Sequence, residues 1–309
     1  MVARVRSVLG DLAPEALGVT DSHDHVFFRS PLLPGQEVDD PDAAAAELEA
    51  FARVGGRTVV QWTPFGMGRW PQALAELSRA TGVNVVAATG LHQAPHYDPA
   101  DLEDLYPRLT ELFVDELTNA MRHGDARAGL IKVAGEYHHL DQHARRTMTA
   151  AAEAHHATGS PIAVHLELGT AALDVLDLLC GELDVTPERV ILGHLNRSPD
   201  HRMQRDVAER GAFISLDGPS RANHATDWRL LDTIVALDEA GHGDQLLLGA
   251  DTTTARARAA NGEGPGMPFL LTGLRGRIER ERGGALATKM LVDNPARAFA
   301  VEWRGSDRA

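Results

Sequence analysis

The sequence predicts an α/β fold, a single-domain (β/α)8 TIM barrel spanning residues 1–309. Short apolar runs alternate with longer helical segments, which is typical of repeated strand–helix units around a parallel sheet. Eight such runs can be counted, and several are apolar nearly throughout, as expected for strands covered on both faces. An open doubly wound sheet is the alternative. We disfavour it because no Gly-x-Gly-x-x-Gly turn follows the first run.

The predicted elements follow one another regularly along the chain. Strands are predicted at 18–25, 58–64, 84–92, 129–135, 161–167, 190–196, 212–218 and 245–251. Helices are predicted at 41–54, 71–80, 104–122, 141–158, 170–180, 199–210 and 227–240, with a closing helical segment at 286–303. Four glycines stand where a left-handed C-cap would end a helix, namely Gly159, Gly181, Gly211 and Gly241. The glycine-rich segment 262–266 is either a plain flexible loop or a loop that covers substrate.

Composition narrows the possible partners and location. The chain has 30 Lys and Arg against 44 Asp and Glu, a net charge of −14, which argues against nucleic acid or an anionic membrane surface. Cys180 is the single cysteine, so no intrachain disulfide can form, which fits a reducing compartment. No apolar run approaches the roughly 18 residues of a membrane span, and the N-terminus lacks the apolar stretch of a signal peptide. We therefore expect a soluble, cytoplasmic protein.

Residues with metal-binding chemistry follow the predicted strands. In such a barrel the catalytic groups lie at the carboxyl ends of the strands. Those ends carry six candidates: His23, His25, Lys132, His165, His194 and Asp251. Alone, His165 or His194 is more often a core histidine than a ligand, and a lone His-x-His such as His23 and His25 is more often a chance pair of surface histidines. Lys132 could simply balance Asp251. Buried as a neutral amine, however, Lys132 can take up CO2 and become a carbamate able to bridge two cations. Together the six residues predict a dinuclear metal site.

The same residues carry a family resemblance that runs nearly end to end. The chain resembles the phosphotriesterase-like branch of the amidohydrolase superfamily. The matching motifs are the opening Val5-Arg6-Ser7-Val8-Leu9-Gly10, His23-x-His25, Ile131-Lys132-Val133, the strand-end His165 and His194, the Gly-x-Asp at Asp251, and Asn294-Pro295-Ala296-Arg297.

The resemblance implies a ligand set and a mechanism. His23, His25 and Asp251 would hold the more buried metal and His165 and His194 the more exposed one. N6-carboxylysine at Lys132 and a hydroxide would bridge the two ions. Zinc is the expected metal, and manganese, cobalt or iron are alternatives. Two cations lower the pKa of a shared water, and Asp251 can accept its proton. A homodimer is also implied.

Departures within the family bear on the substrate. Organophosphate-cleaving members have an aspartate three residues after the strand-six histidine, where this chain has Arg197, and a histidine near the end of strand seven, where it has Asp217-Gly218. Residues 194–200, 216–221 and 264–266 instead resemble the lactonases that act on sugar lactones, often phosphorylated ones. Those enzymes have a Lys-Tyr pair shortly after the strand-seven arginine, and this chain has Asn223-His224.

These observations predict a lactonase that opens a small polar lactone. Hydrolysis of an N-acyl amide, a carboxylic ester or an organophosphate is the alternative within enzymes, and a ligand-binding barrel without turnover is the alternative outside them. Asp251 and Lys132 are the predicted catalytic residues. The predicted substrate contacts are the arginine forks of Arg197, Arg221 and Arg256, which suit carboxylate, phosphate or polyol oxygens, together with His96 and Tyr97 after strand three.

Overall fold

Eight parallel strands form the centre of the fold and pair in sequence order. The computed structural model describes residues 2–218 and 227–305. The strands are Thr20–Asp24, Thr58–Gln61, Asn84–Thr89, Leu130–Ala134, Ile162–His165, Val190–Gly193, Phe213–Asp217 and Leu246–Gly249. Each lies within a segment predicted from the apolar runs, so the predicted strand order is confirmed.

The first and eighth strands meet and close the sheet into a barrel. The backbone N–H of Asp251 donates to the carbonyl of His23 at 2.9 Å. Gly249 permits this approach, because a Cβ at this position would lie 2.6 Å from Cβ of His23. The predicted (β/α)8 barrel is therefore confirmed.

Helices cover the outside of the barrel. They are Pro41–Arg53, Pro71–Thr81, Pro99–Leu105, Leu109–Thr118, Gln142–Thr158, Ala172–Leu176, His201–Glu209, Leu230–Glu239, Arg275–Arg282, Gly284–Thr288 and Asn294–Phe299. Several begin at an aspartate whose carboxylate accepts from free N–H groups of the first turn, at Asp40, Asp98, Asp141 and Asp200. None of the helices in residues 2–218 and 227–305 is long and apolar enough to cross a membrane.

The structure corrects several predicted elements. The single helix predicted at 104–122 is two helices separated by the 3₁₀ turn Tyr106–Arg108, where Pro107 has no N–H to continue the α-helical pattern. Gly181 does not end a helix, because it lies inside the π-helical segment Asp177–Glu182. The hairpin of Val5–Ser7 and Gly10–Leu12 and the helix Arg275–Arg282 were not predicted. The hairpin strands are too short for a clear periodicity, and the helix has only one buried residue, Ile278.

Apolar side chains fill the barrel interior below its carboxyl end. They include Val60, Val86, Leu130, Ile191 and Leu247, all fully buried. Because the strand interiors are packed in this way, polar side chains can gather only at the strand ends and in the loops that follow.

The glycine-rich segment 262–266 is anchored to a helix. The buried carboxylate of Glu47, on Pro41–Arg53, accepts from the N–H groups of Ala260 at 2.7 Å and Met267 at 2.9 Å. A Cβ on Gly266 would lie 2.0 Å from the Glu47 carboxylate, so glycine is needed for this approach. The segment is thus packed against the outer helix, and it is not among the residues that line the cavity described next.

Candidate metal centre

A cavity of about 540 Å³ opens at the carboxyl end of the barrel. All six residues predicted as metal ligands line it: His23, His25, Lys132, His165, His194 and Asp251. The structure therefore brings together side chains from the first, fourth, fifth, sixth and eighth strands. Trp62, in the apolar interior of the barrel, stacks its ring on His23 at 3.7 Å between centroids.

The first group of potential ligand atoms comes from His23, His25 and Asp251. Nε2 of His23 lies 3.5 Å from Asp251 Oδ1, and Nε2 of His25 lies 3.4 Å from the same oxygen. His23 donates through Nδ1 to Asp217 Oδ1 at 2.8 Å. His25 donates through Nδ1 to the Thr63 hydroxyl at 2.7 Å, because that hydroxyl donates its own hydrogen to the carbonyl of Phe27. In neutral imidazoles, both Nε2 atoms therefore present lone pairs to the cavity.

The second group comes from His165 and His194. Nδ1 of His194 donates to Asp217 Oδ2 at 2.5 Å, and Nε2 of His165 donates to Glu167 Oε2 at 3.1 Å. The other two ring nitrogens, His165 Nδ1 and His194 Nε2, lie 2.8 Å apart. With the tautomers set by their carboxylate partners, neither of these nitrogens carries a hydrogen. Two lone pairs that face each other so closely require a shared cation or proton between them.

These two groups fit divalent metal ions. Bonds of about 2.0–2.1 Å in tetrahedral geometry put two zinc ligands roughly 3.4 Å apart, close to the spacing of the first group. In the second group the two facing nitrogens lie 2.8 Å apart, so the rings of His165 and His194 need to move apart only slightly to reach the same spacing. Neutral imidazole nitrogens and carboxylate oxygens are also the donors that zinc prefers.

Lys132 lines the same cavity and is buried. Burial lowers the pKa of its amine to about 7, although Asp251 opposes this effect. Nζ lies 2.9 Å from Nδ1 of His92, a ring that also lines the cavity. A substantial neutral fraction near pH 7 is the condition under which a lysine amine reacts with CO2.

Asp217 is the residue of this site that sequence reasoning missed. From the sequence, Asp217 stood out only as part of the segment where organophosphate-cleaving members of the family carry a histidine. Its two carboxylate oxygens bridge Nδ1 of His23 and Nδ1 of His194. Burial acts to raise the pKa of Asp217, but its two imidazole partners outweigh burial and hold it below its usual range. Strand alternation could have found it, because Phe213, Ser215 and Asp217 share one face of their strand.

Backbone strain marks two of the predicted ligands. His194 has φ 69° and Asp251 has φ 50°, both in the left-handed region. Each such non-glycine residue costs about 1–3 kcal/mol, and strained residues of this kind cluster at functional sites. His194 comes directly after a barrel strand and Asp251 two residues after one, so each left-handed turn redirects the chain close to where the side chain enters the cavity.

Arg197 and His96, two of the five predicted substrate contacts, line the cavity. The Arg197 guanidinium donates to Asp251 Oδ2 and lies 4.0 Å from Asp217 Oδ2. His96 pairs through Nδ1 with the Ser30 hydroxyl at 2.7 Å. Tyr97 is not among the lining residues: its hydroxyl accepts from the His92 N–H at 2.7 Å and so holds that residue in place.

The remaining arginines lie elsewhere. Arg256 is outside the cavity lining, with 84% of its side chain exposed and Glu263 3.8 Å away. Its position gives it no contact with a ligand at the cavity floor. Arg258, on the same loop as Arg256, is buried and donates to the carbonyl of Val26. Arg221, Asn223 and His224 lie outside the described residues.

Comparisons with known proteins agree with this geometry. The family model described as "Phosphotriesterase family" matches residues 3–299. A relative named phospho-furanose lactonase from Mycoplasmopsis agalactiae is 32% identical over 248 residues, covering 74% of this chain and 70% of that one.

Solved structures show the same similarity. A lactonase from Listeria monocytogenes superposes with a TM-score of 0.89 at 29% identity, covering 97% of this chain and 99% of that one. A phosphotriesterase homology protein from Escherichia coli, solved with phosphate in its active site, has a TM-score of 0.86 at 26% identity, covering 92% and 99%. With a family match over nearly its whole length and a matching barrel, this chain belongs to the phosphotriesterase family of dinuclear-metal hydrolases.

Proposed function

We propose that this protein is a dinuclear-metal lactonase that opens a small polar lactone. The observation that carries the proposal is the convergence of lone-pair nitrogens and carboxylate oxygens in one cavity. Relatives with the same barrel are named lactonases, which favours a cyclic ester over other substrates with a polarisable carbonyl.

Each predicted ligand has an assigned place in this proposal. His23, His25 and Asp251 would hold one ion, His165 and His194 would hold the other, and Lys132, once carboxylated, would supply the oxygen ligands shared by both. Zinc is the proposed metal, with manganese, cobalt or iron as alternatives. When bound, such ions supply polarisation of the lactone carbonyl and water that is acidic enough to attack near neutral pH.

The protein's own groups orient the reaction. Asp217 fixes the tautomers of His23 and His194, so that each offers Nε2 to the cavity. Oδ2 of Asp251 is the proposed acceptor of the proton from the attacking water. Arg197 stabilises the ionised form of that oxygen, which favours passing the proton on to the ring-opened alkoxide.

A substrate panel tests the proposal. The protein, reconstituted with zinc or manganese in bicarbonate buffer, is assayed by initial rates on aldonolactones, a simple carboxylic ester, N-acyl amino acids and an aryl phosphotriester. A lactone preferred by orders of magnitude in kcat/KM supports it. Turnover of the amide, ester or phosphotriester without lactone turnover would keep the dinuclear mechanism and contradict the substrate. Lactone binding without turnover of any substrate would support a ligand-binding barrel.

Two further expectations from the sequence are part of this proposal. We place the protein in the cytoplasm and expect it to form a homodimer, and sedimentation of the purified protein measures the second expectation.

A further inference from the structure

We infer that the cavity selects a neutral, hydroxyl-bearing lactone over its phosphorylated form, and that Glu136, with Glu167 and Gln93, sets this preference. The inference rests on the proposed lactonase function and specifies its substrate class. It concerns the ring substituents, which lie away from the reacting carbonyl.

One wall of the cavity is rich in hydrogen-bond acceptors. Gln93, Glu136 and Glu167 all line it. The Gln93 amide nitrogen donates to Glu136 Oε2 at 3.1 Å, to Glu167 Oε2 at 3.4 Å and to the carbonyl of Gly135 at 3.1 Å. This shared donor holds the two carboxylates side by side on the wall. We call these three side chains the acceptor wall.

Carboxylates on such a wall discriminate by charge and by hydrogen bonding. An ionised carboxylate only accepts hydrogen bonds, so a ring hydroxyl can donate to it in a charge-assisted bond. A phosphate group carries no proton to donate in its dianionic form and is repelled by the same oxygens.

Among the residues that the structure describes, no lining lysine or arginine is free to offset this repulsion. Among the described lining residues, Arg197 and Lys132 are the lysine and arginine side chains. Arg197 is paired with Asp251 Oδ2, and Lys132 becomes anionic on carboxylation. Neither is free to bind a phosphate on the ring.

The wall contributed by the loop after the first strand is mostly apolar. Phe28, Leu32 and Leu33 line the cavity there, and Gln36 is the polar residue of this loop among the described lining residues. Leu32 remains 51% exposed, so it can still lose solvent contact when a ligand binds. The three apolar side chains suit the C–H face of a small ring and carry no charge that would attract a phosphate. The two walls therefore favour a compact neutral ring with hydroxyl groups on one side.

Kinetics on a matched substrate pair test the inference. The substrates are an aldono-1,4-lactone, its 5-phosphate, and unsubstituted γ-butyrolactone. The wild-type protein should prefer the unphosphorylated aldonolactone by about ten-fold or more in kcat/KM. Glu136→Gln should lose about ten-fold on that substrate, mostly through KM, with little change on γ-butyrolactone. Glu136→Lys should raise kcat/KM for the 5-phosphate.

The control variant is Glu103→Gln, which removes the same charge from an exposed position on Pro99–Leu105 and should leave all three values unchanged. A wild-type preference for the 5-phosphate, or equal losses on all substrates in Glu136→Gln, would overturn the inference.

A binding measurement separates this inference from the lactonase proposal. The probes are the cyclic ethers in which CH2 replaces the lactone carbonyl, with and without the 5-phosphate, titrated calorimetrically. Tighter binding of the neutral ether, weakened in Glu136→Gln, would support the inference even if no lactone were hydrolysed. Tighter binding of the phosphorylated ether would refute it even if lactone turnover were high.

Discussion

Replacing Asp217 by asparagine should weaken metal binding without removing a metal ligand. The carboxylate accepts from Nδ1 of both His23 and His194. A carboxamide can accept from one imidazole, but its NH2 group then faces the N–H of the other. That second ring must move away or shift its hydrogen to Nε2, the atom that faces the cavity, and thereby loses its lone pair as a ligand.

The size of the effect follows from these two bonds. A hydrogen bond to a charged group contributes about 1.5–3 kcal/mol. Loss of one such bond to a ligand histidine corresponds to roughly 10–100-fold in metal affinity, the usual range for residues that orient ligands. Since Asp217 is buried at 1% exposure, solvent cannot replace the lost partner.

The assay is competition between the protein and a chelator for zinc, with metal content measured after equilibration. Asp217→Asn should release one metal at a chelator concentration 10–100-fold lower than the wild type. Asp125→Asn, which removes an equal charge from an exposed loop, is the matched control. Wild-type zinc affinity in a folded Asp217→Asn protein would refute the tautomer argument.

Three further predictions test other parts of the molecule. Lys132→Ala should hold at most one metal per chain at saturating zinc, because the bridging group is lost. Two metals by elemental analysis, together with full hydrolytic activity, would contradict a bridging carbamate. Gly249→Ala should lower the free energy of unfolding by about 1–3 kcal/mol, because its Cβ would lie 2.6 Å from Cβ of His23. Gly284→Ala, which has open space around the added Cβ, is the control. If Gly249→Ala were as stable as the wild type, that result would be evidence against the strand contact. Burial raises the pKa of the Cys180 thiol to about 11, so its alkylation should still accelerate about ten-fold per pH unit from pH 8 to 10; a plateau near pH 9 would contradict this.

Local patterns were sufficient to predict the strands and the residues at their ends. Most of the strands are short apolar runs, and five of the eight place a residue at or just after their carboxyl end into the cavity. His23 and His25 illustrate this, since residues two apart share a face. His165 and His194 were assigned to the site because they too stand at strand ends, although either one alone resembles a core histidine.

The hydrogen bonds that orient the side chains of the site could not be predicted from local patterns. Asp217 meets His23 across 194 residues of sequence, and Gln93 meets Glu167 across 74. Such pairs depend on barrel closure and loop geometry, which no local pattern encodes. Loop arginines were equally ambiguous: Arg197 enters the cavity, whereas Arg258 is buried against backbone carbonyls and Arg256 is exposed.

The account's central claim is that the strand-end residues form a dinuclear centre that hydrolyses a lactone. Stepwise addition of zinc to metal-free protein in bicarbonate buffer, with aldonolactone hydrolysis followed at each step, tests it most directly. We predict that activity rises mainly with the second equivalent and reaches a plateau at two metals per chain. Full lactone turnover with no metal, or with a single equivalent, would contradict the claim.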